Sequence, residues 1–586
     1  MAFFPEPDAG TAKAGAWDCR ARQGLVLVAF GVAAWAVFAH LGDFPLLAPD
    51  EGRNAEVARE MREQGAWLVP TYNGAVYLDK PAFFFKIVAL SLALLGESEI
   101  AARLPSALFG FGLLLMLYGF CRRAYGELTA ALAVAIVAAT PLYMAFARIV
   151  IFDMTLAFFV SGSVFLAFMA EEWEGRARAL GHGAAALMGG IATLVKGPVG
   201  FVIPLLVMTV YLWSEGRGDA IKRLFAPRNG ALFLAVVLPW FLGLSLVHPD
   251  FPYYGIVKES LARFATGEFH RTQPFYFYGL VIAGGGFAWS LLLPEALAAA
   301  WRARRGWLAA DRLFMVWALV VVGFFSLSQS KLPGYVLTAL VALGALNARV
   351  FARALEDAGS RAARIVAHGS LALALVAAAA ALVALALDLE PAWIPGLRLK
   401  PPLREAFGPV LPTLAASLGG VALLAGLAYR LRNPRWALAA FLIAPLLLVT
   451  ADFELLPRHA ALKSGYGLAE RLLPSLSPDT ELACLNCLPN GVPFYLKRLV
   501  TVISDQGKEF TSNYLQFSLA RGGPRPERLV PAAELSRWLA SRDHPTLLLG
   551  RSDQRPRLAE IAARYRAELR ELGYGYWAVP LPPTAR

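Results

Sequence analysis

Pro49-Asp50-Glu51-Gly52-Arg53 begins eight residues after an apolar run, Leu25 to Leu41, with the composition of a membrane helix. Two adjacent carboxylates this close to a bilayer must sit in water, in a protein cavity or beside a cation, because charge in hydrocarbon costs several kcal/mol. Further on, Tyr77-Leu78-Asp79-Lys80-Pro81 adds another acid and a lysine. Acids and a cation gathered at a membrane face point to chemistry on a lipid-linked substrate.

The whole chain reads the same way. Of its 586 residues 57% are hydrophobic and 17% charged, against roughly 25% charged in a soluble domain. The expectation is a polytopic α-helical membrane protein. The net charge of +12 does not mark a nucleic-acid partner, because Lys and Arg cluster in short loops between apolar runs, where they orient a membrane protein. The first apolar run is not followed by a small-residue cleavage site, so no cleavable signal is expected.

Apolar runs near 24–41, 103–120, 127–147, 151–170, 183–197, 198–213, 230–247, 276–300, 313–328, 333–352, 364–388, 408–428 and 435–452 give about thirteen spans. With that number, Arg122-Arg123, Arg176 with Arg178, Arg217 to Arg228, Arg302 to Arg305, Arg361 with Arg364, and Arg430 to Arg435 all share one side. The positive-inside rule makes that side cytoplasmic. The expected organisation is a cytoplasmic N-terminus over 1–23, a membrane domain over 24–452 and an exoplasmic unit over 453–586. Loop 42–102, Asp153, Lys196, loop 248–275 and the turn Ser328–Tyr335 then share the exoplasmic side. Phe83 to Leu95 is too short to span and reads as an interfacial helix.

After residue 452 the composition changes. Leu482–Cys484, Leu499–Ser504, Thr546–Leu549 and Tyr576–Leu581 read as strands, and Arg557–Leu572 as a helix. This is a small α/β unit. Cys484 and Cys487 are as compatible with a local disulfide as with two free thiols.

Asp50 follows Pro49 at a helix start, where backbone N–H groups and the helix dipole favour an ionised carboxylate. A cap, a general base and a metal ligand all use that state. Glu56, Arg59, Glu60 and Glu63 read instead as a solvated helix stitched by ion pairs. Lys80 is either a surface lysine or a contact to a lipid phosphate. Lys331 either snorkels or meets the same phosphate. Asp153 lies in an apolar stretch, and an intramembrane acid is a functional candidate by default. His270 and Arg271 precede an aromatic belt, Phe275 to Tyr278. His270 with Asp79 is a candidate pair for a divalent ion. No P-loop, dinucleotide fingerprint or HExxH occurs.

In order, Asp50-Glu51-Gly52-Arg53-Asn54-Ala55-Glu56, Leu78-Asp79-Lys80-Pro81, Ala102-Arg103-Leu104-Pro105-Ser106, Lys196-Gly197-Pro198, His270 to Tyr278 and Ser330-Lys331-Leu332-Pro333-Gly334-Tyr335 resemble the motifs of polyprenyl-phosphate-dependent GT-C glycosyltransferases. Within these the chain is most similar to the bacterial aminoarabinose transferases of lipid A, relatives of the protein O-mannosyltransferases. The later spans and the α/β unit resemble the same layout. The resemblance implies a donor sugar on undecaprenyl phosphate and an acceptor on the periplasmic face of a bacterial inner membrane. That acceptor is lipid A or a related glycolipid, or, for a mannosyltransferase, a secreted protein. Asp50 matches the family's essential acid and Lys80 its carrier-phosphate lysine. The expected site has Asp50, Glu51 and Asp153 as catalytic groups. Lys80, Arg53, Arg271, Lys331 and Tyr335 surround the donor phosphate, and Asp79 and His270 are set beside a divalent metal. The family often has Glu-Lys-Pro where this chain has Asp79-Lys80-Pro81, and the shorter acid changes its reach toward a metal. A lipid-linked sugar transporter would show internal repeats and a midplane site, and neither is visible in the sequence.

Overall fold

In a computed structural model the described residues are 19–267, 271–390, 404 and 407–583. The expectation for His270 lies outside them. Among the described residues eight helices are long and apolar enough to cross a membrane, or ten if each of two bent pairs is one span. The first pair, Glu127–Ala138 with Pro141–Ala147, bends by 70°. It breaks where Pro141 has no N–H to donate and Thr140 Oγ1 donates back to the Ile136 carbonyl at 2.9 Å. Three shorter apolar helices, Gln23–Phe38, Val199–Ser214 and Pro434–Leu447, fall on the remaining predicted positions. Small residues bring the helices close: Leu337–Glu356 packs on Glu127–Ala138 at Gly344, where a Cβ would stand 2.5 Å from the Val137 side chain, as expected where packing rather than hydrophobic exclusion joins membrane helices.

Three of the predicted basic loops meet at one end. Glu171 accepts from Arg217 at 2.7 Å, Arg223 at 2.6 Å and His182 at 2.9 Å. Beside it Glu172 pairs with Arg123 at 3.3 Å. These links tie three of the arginine-bearing loops together.

At the other end sits the α/β unit. The helix Pro434–Lys463 runs on past residue 452, and the next helix starts at Tyr466. The unit's six-stranded sheet is numbered after a two-residue hairpin in the juxtamembrane loop, β1 (Thr71–Tyr72) and β2 (Ala75–Val76). Its strands are β3 (Glu481–Leu485), β4 (Thr501–Ile503), β5 (Leu529–Val530), β6 (Thr546–Arg551), β7 (Arg570–Gly573) and β8 (Tyr576–Leu581), in the order β5-β4-β3-β6-β8-β7. The first four in that order are parallel, and β8 and β7 add on antiparallel. Side chains alternate between faces. Leu482, Cys484, Leu547 and Leu549 face the membrane-side core, while Ala483, Leu485 and Leu548 pack with Leu558 and Ile561 on the other. A disulfide joins Cys484 to Cys487. The expected helix over 557–572 is Arg555–Arg564 instead. Its C-terminal part becomes β7, because Gly573 and Gly575, both at positive φ, turn the chain back onto β8.

The juxtamembrane helix Asp50–Gln64 differs most from its sequence reading. It is not solvated: Glu51 to Met61 are all buried. One hydrophobic core joins its Ala55, Val57 and Met61 to Phe84 and Phe85 of Phe83–Leu95 and to Val492 and Phe494 of the α/β unit. Each such buried large apolar side chain contributes about 1.5–3 kcal/mol. At Gly52 a Cβ would come within 2.7 Å of the Gly491 backbone, so glycine permits the two chains to touch. The charges on this helix are paired internally. Glu56 accepts two bonds of 2.7 Å from Arg59, and Glu60 accepts from the backbone N–H of Asn73 at 2.5 Å and Gly74 at 3.1 Å. Asn73 in turn exchanges two hydrogen bonds with the backbone of Val500, at 2.8 and 2.7 Å.

Candidate functional site

A cavity of about 770 Å³ opens between the membrane helices and the juxtamembrane loop. Its polar end holds Lys80, Asp153, Lys196, Glu259, Arg263 and Tyr335; its long wall is apolar, with Val160, Val202, Phe233, Val237 and Phe241.

Two charge groups make up the polar end. Lys80 is delivered by the loop after β2. It donates to Glu259 and to its neighbour's carbonyl, Asp79 O, at 2.6 Å. Glu259 and Arg263 come from a π-helical segment, Tyr253–Ala262, and the turn that follows. Arg263 approaches the same Glu259 oxygen at 2.7 Å, while the second oxygen, Oε2, is buried without a hydrogen-bond partner among the described residues. Burial pushes the Lys80 ammonium down to about 8, against the pull of Glu259.

The second group sits where helices start and stop. Asp153 opens Asp153–Ala170, and Lys196 ends Gly175–Lys196. Their ion pair is 2.5 Å long. The Lys196 ammonium lies 5.0 Å from the Phe152 ring centre and 4.6 Å from that of Tyr335, an attractive placement for a cation. Gly334 passes so close that a Cβ there would stand 2.8 Å from Asp153 Oδ1.

The remaining candidates are placed elsewhere. Asp50 is half exposed, pairs with Arg53 at 2.5 Å and is outside the cavity lining. Arg53 is buried and also donates to Thr511 Oγ1 at 3.1 Å. Glu51 is enclosed: its two oxygens accept from Arg103 at 2.8 and 2.9 Å, from Val150 N–H at 2.9 Å and from Leu47 N–H at 2.9 Å. Arg103 also donates to the carbonyls of Leu41, Phe44 and Pro45, so this pair ties the juxtamembrane loop together. Lys331 is buried and donates to Ser328 O at 2.7 Å. Arg271 is exposed and meets Lys331 through its backbone carbonyl at 3.1 Å. Neither lines the cavity.

Asp79 does not present itself to a metal. Its Oδ1 accepts from Tyr254 OH at 3.0 Å, Ser512 OH at 3.2 Å and Tyr514 N–H at 2.7 Å; its Oδ2 accepts from Asn513 N–H at 2.8 Å. Among the described residues no three His, Cys, Asp or Glu side chains gather as a metal cluster. The other expected ligand, His270, lies outside the described residues.

Lys196, Glu259 and Arg263 were not singled out as site residues by sequence. For Lys196 the signal was a cation next to a Gly-Pro helix break facing the candidate acids. Glu259 and Arg263 had only their i,i+4 spacing, which any surface helix also shows.

Residues 79–242 match a family model described as dolichyl-phosphate-mannose-protein mannosyltransferase. The undecaprenyl phosphate-α-4-amino-4-deoxy-L-arabinose arabinosyl transferase of Pseudomonas aeruginosa is 29% identical over 532 residues, covering 88% of this chain and 90% of the relative. The enzyme of the same name from Edwardsiella ictaluri is 27% identical, over 84% of this chain and 87% of its own. The crystal structure of ArnT from Cupriavidus metallidurans bound to undecaprenyl phosphate superposes with a TM-score of 0.79 at 25% identity, covering 95% of this chain and 98% of that one. With sequence and fold matched over nearly its whole length, the chain is a multi-pass membrane glycosyltransferase of the GT-C class.

Proposed function

We propose that the chain transfers 4-amino-4-deoxy-L-arabinose from undecaprenyl phosphate to lipid A at the periplasmic face of a bacterial inner membrane. The observation that carries this is the cavity: three cations, Lys80, Lys196 and Arg263, and three acids, Asp79, Asp153 and Glu259, continuous with an apolar wall. That shape takes a phosphate with a sugar on one side and a polyprenyl tail on the other. The names of the aligned relatives support the donor and sugar. The disulfide Cys484–Cys487 supports an oxidising compartment for the α/β unit, and the arginine-rich loops at the other end support the orientation.

Breaking the sugar–phosphate bond raises the negative charge on the carrier phosphate. Lys80 and Arg263, which share Glu259, are the nearest cations to that charge, and Tyr335 supplies a hydroxyl at the same end. Fixed cations in a site partly closed to water stabilise developing charge far better than solvent does. Glu259 keeps the two cations together and competes with the phosphate for them, which favours release of the spent carrier. Asp153 and Lys196 hold each other across the site and can meet the polar groups of the sugar. Asp50, exposed at the helix start and outside the cavity lining, is assigned to the acceptor. An acceptor hydroxyl needs it as a base, whereas an acceptor phosphate, already ionised, needs only orientation.

The test is mass spectrometry of lipid A and of periplasmic glycoproteins in cells with and without the gene. A pentosamine mass on lipid A that depends on the gene is the expected result. Hexose on secreted proteins, with lipid A unchanged, would instead support the mannosyltransferase reading that the match over residues 79–242 favours.

A further inference from the structure

The two halves of the Lys80–Glu259 pair come from segments with little internal support. Lys80 lies in an irregular loop. Glu259 lies in a π-helix, a rare form that is frequent at functional sites. Both segments lean on one element of the α/β unit, the eight-residue helix Asn513–Ala520. Its first turn takes the loop: Ser512 OH, Asn513 N–H and Tyr514 N–H all donate to Asp79, the residue before Lys80. Its rings take the π-helix. Tyr514 stacks edge-on to Tyr254 with centroids 5.1 Å apart, and Phe517 lies 6.1 Å from Tyr253 and 5.2 Å from Tyr254. Tyr514 OH donates to Asp250 at 3.0 Å, and Arg521 covers the Tyr253 ring at 5.3 Å. Tyr254 closes the loop by donating to Asp79 itself.

We propose that the helix Asn513–Ala520 is a clasp that sets the separation of Lys80 from Glu259 and Arg263, and with it the affinity for the carrier phosphate. Ser512, Tyr514 and Phe517 are positioning residues for the transfer, and Asp79 is their anchor. The α/β unit is thereby a working part of the donor site. This rests on the assignment of Lys80 to the donor phosphate.

The experiment compares full-length Ser512→Ala, Phe517→Ala and Arg521→Ala with Lys80→Ala. It measures direct binding of undecaprenyl phosphate, the KM for donor and kcat, with thermal melting alongside. Ser512→Ala and Phe517→Ala are expected to weaken carrier binding about tenfold, the scale of one hydrogen bond to a charged group. The KM should rise more than kcat falls, because the phosphate contact is loosened in ground and transition state alike. Phe517→Tyr, which keeps the ring, should restore wild-type binding. Arg521 is solvent-exposed, so Arg521→Ala leaves the fold intact and should give a smaller loss of the same kind. Wild-type carrier binding in all three clasp variants, with Lys80→Ala weakened, overturns the clasp and leaves the donor assignment standing. Wild-type binding in Lys80→Ala overturns the donor assignment and the clasp with it.

Discussion

Glu51 and Glu259 are both acids buried among cations at the same membrane face, and they are built in opposite ways. Glu51 has four donors for its two oxygens and a guanidinium that is itself tied to three carbonyls. Glu259 carries two cations on one oxygen and, among the described residues, no hydrogen-bond partner on the other, and it lines a cavity. The first arrangement has a single stable state. The second can exchange partners when another anion arrives. Saturation, more than burial or charge, separates an ion pair that holds the fold from one that can do chemistry.

The sharpest way to break this comparison is to cut the saturated pair. Glu51→Ala leaves the Arg103 guanidinium buried and uncompensated, which should cost about 3–5 kcal/mol. Low yield and a strongly lowered melting temperature are expected; normal melting with lost transfer would mean that Glu51 works in the site after all. Lys80→Ala should do the reverse. Melting stays near wild type while transfer falls roughly a hundredfold, the scale of losing one fixed charge-stabilising donor. Single-turnover transfer at saturating donor measures it. Lys80→Arg should recover only part, since a planar fork does not fill the place of a point charge.

Asp50 lies between these cases, exposed yet paired with Arg53. Asp50→Asn removes the charge and little else. Pro49 is the N-cap and no side chain caps the helix, so the stability at stake is the first-turn pair with Arg53, worth under about 1 kcal/mol; a lost base or orienting group should lower transfer at least tenfold. Equal transfer in variant and wild type would reduce Asp50 to a partner of Arg53.

The pH dependence is subtler. Burial lowers the Lys80 ammonium to about 8, so its charge is complete well below that pH and is lost as pH rises through it. For free enzyme and donor, kcat/KM should therefore decline above pH 8 with one apparent ionisation. The decline should be absent in Lys80→Arg, whose charge persists. The smallest expected effect is that of a chelator. With Asp79 committed to four hydrogen bonds, EDTA should leave the rate unchanged. A rate lost to EDTA and restored by a divalent ion would show that Asp79 can leave the helix Asn513–Ala520.

Much of this was legible in the sequence because the relevant signals are local. Apolar run lengths located the membrane helices, arginine positions sorted the loops, and short apolar runs located β3, β4, β6 and β8. Lys80 and Asp153 stood out as charges where a membrane tolerates few, and Tyr335 came only with the resemblance. What sequence could not show is tertiary satisfaction. The spacing of Glu56, Arg59 and Glu63 is the same on a solvated helix as on one buried beneath a sheet. Nothing local announces that Glu51 meets Arg103 or that Asp79 meets residues 512–514. The edge strand β7 was hidden inside a helical charge pattern, and only the glycines at 573 and 575 mark the turn that creates it.

The apolar wall of the cavity is formed in part by Pro227–Val247, a helix of which little is buried inside the protein. A tail lying against Phe233, Val237 and Phe241 is therefore beside the lipid phase. The donor arrives sideways, by diffusion within the leaflet, and the spent carrier departs along the same path. Turnover then depends on carrier molecules per unit area of membrane, and bulk volume does not enter. Donor and spent carrier compete for one lateral entrance, so the ratio of loaded to unloaded carrier in the leaflet acts as a throttle on the enzyme. Whatever recycles the spent lipid thereby sets the pace of surface modification.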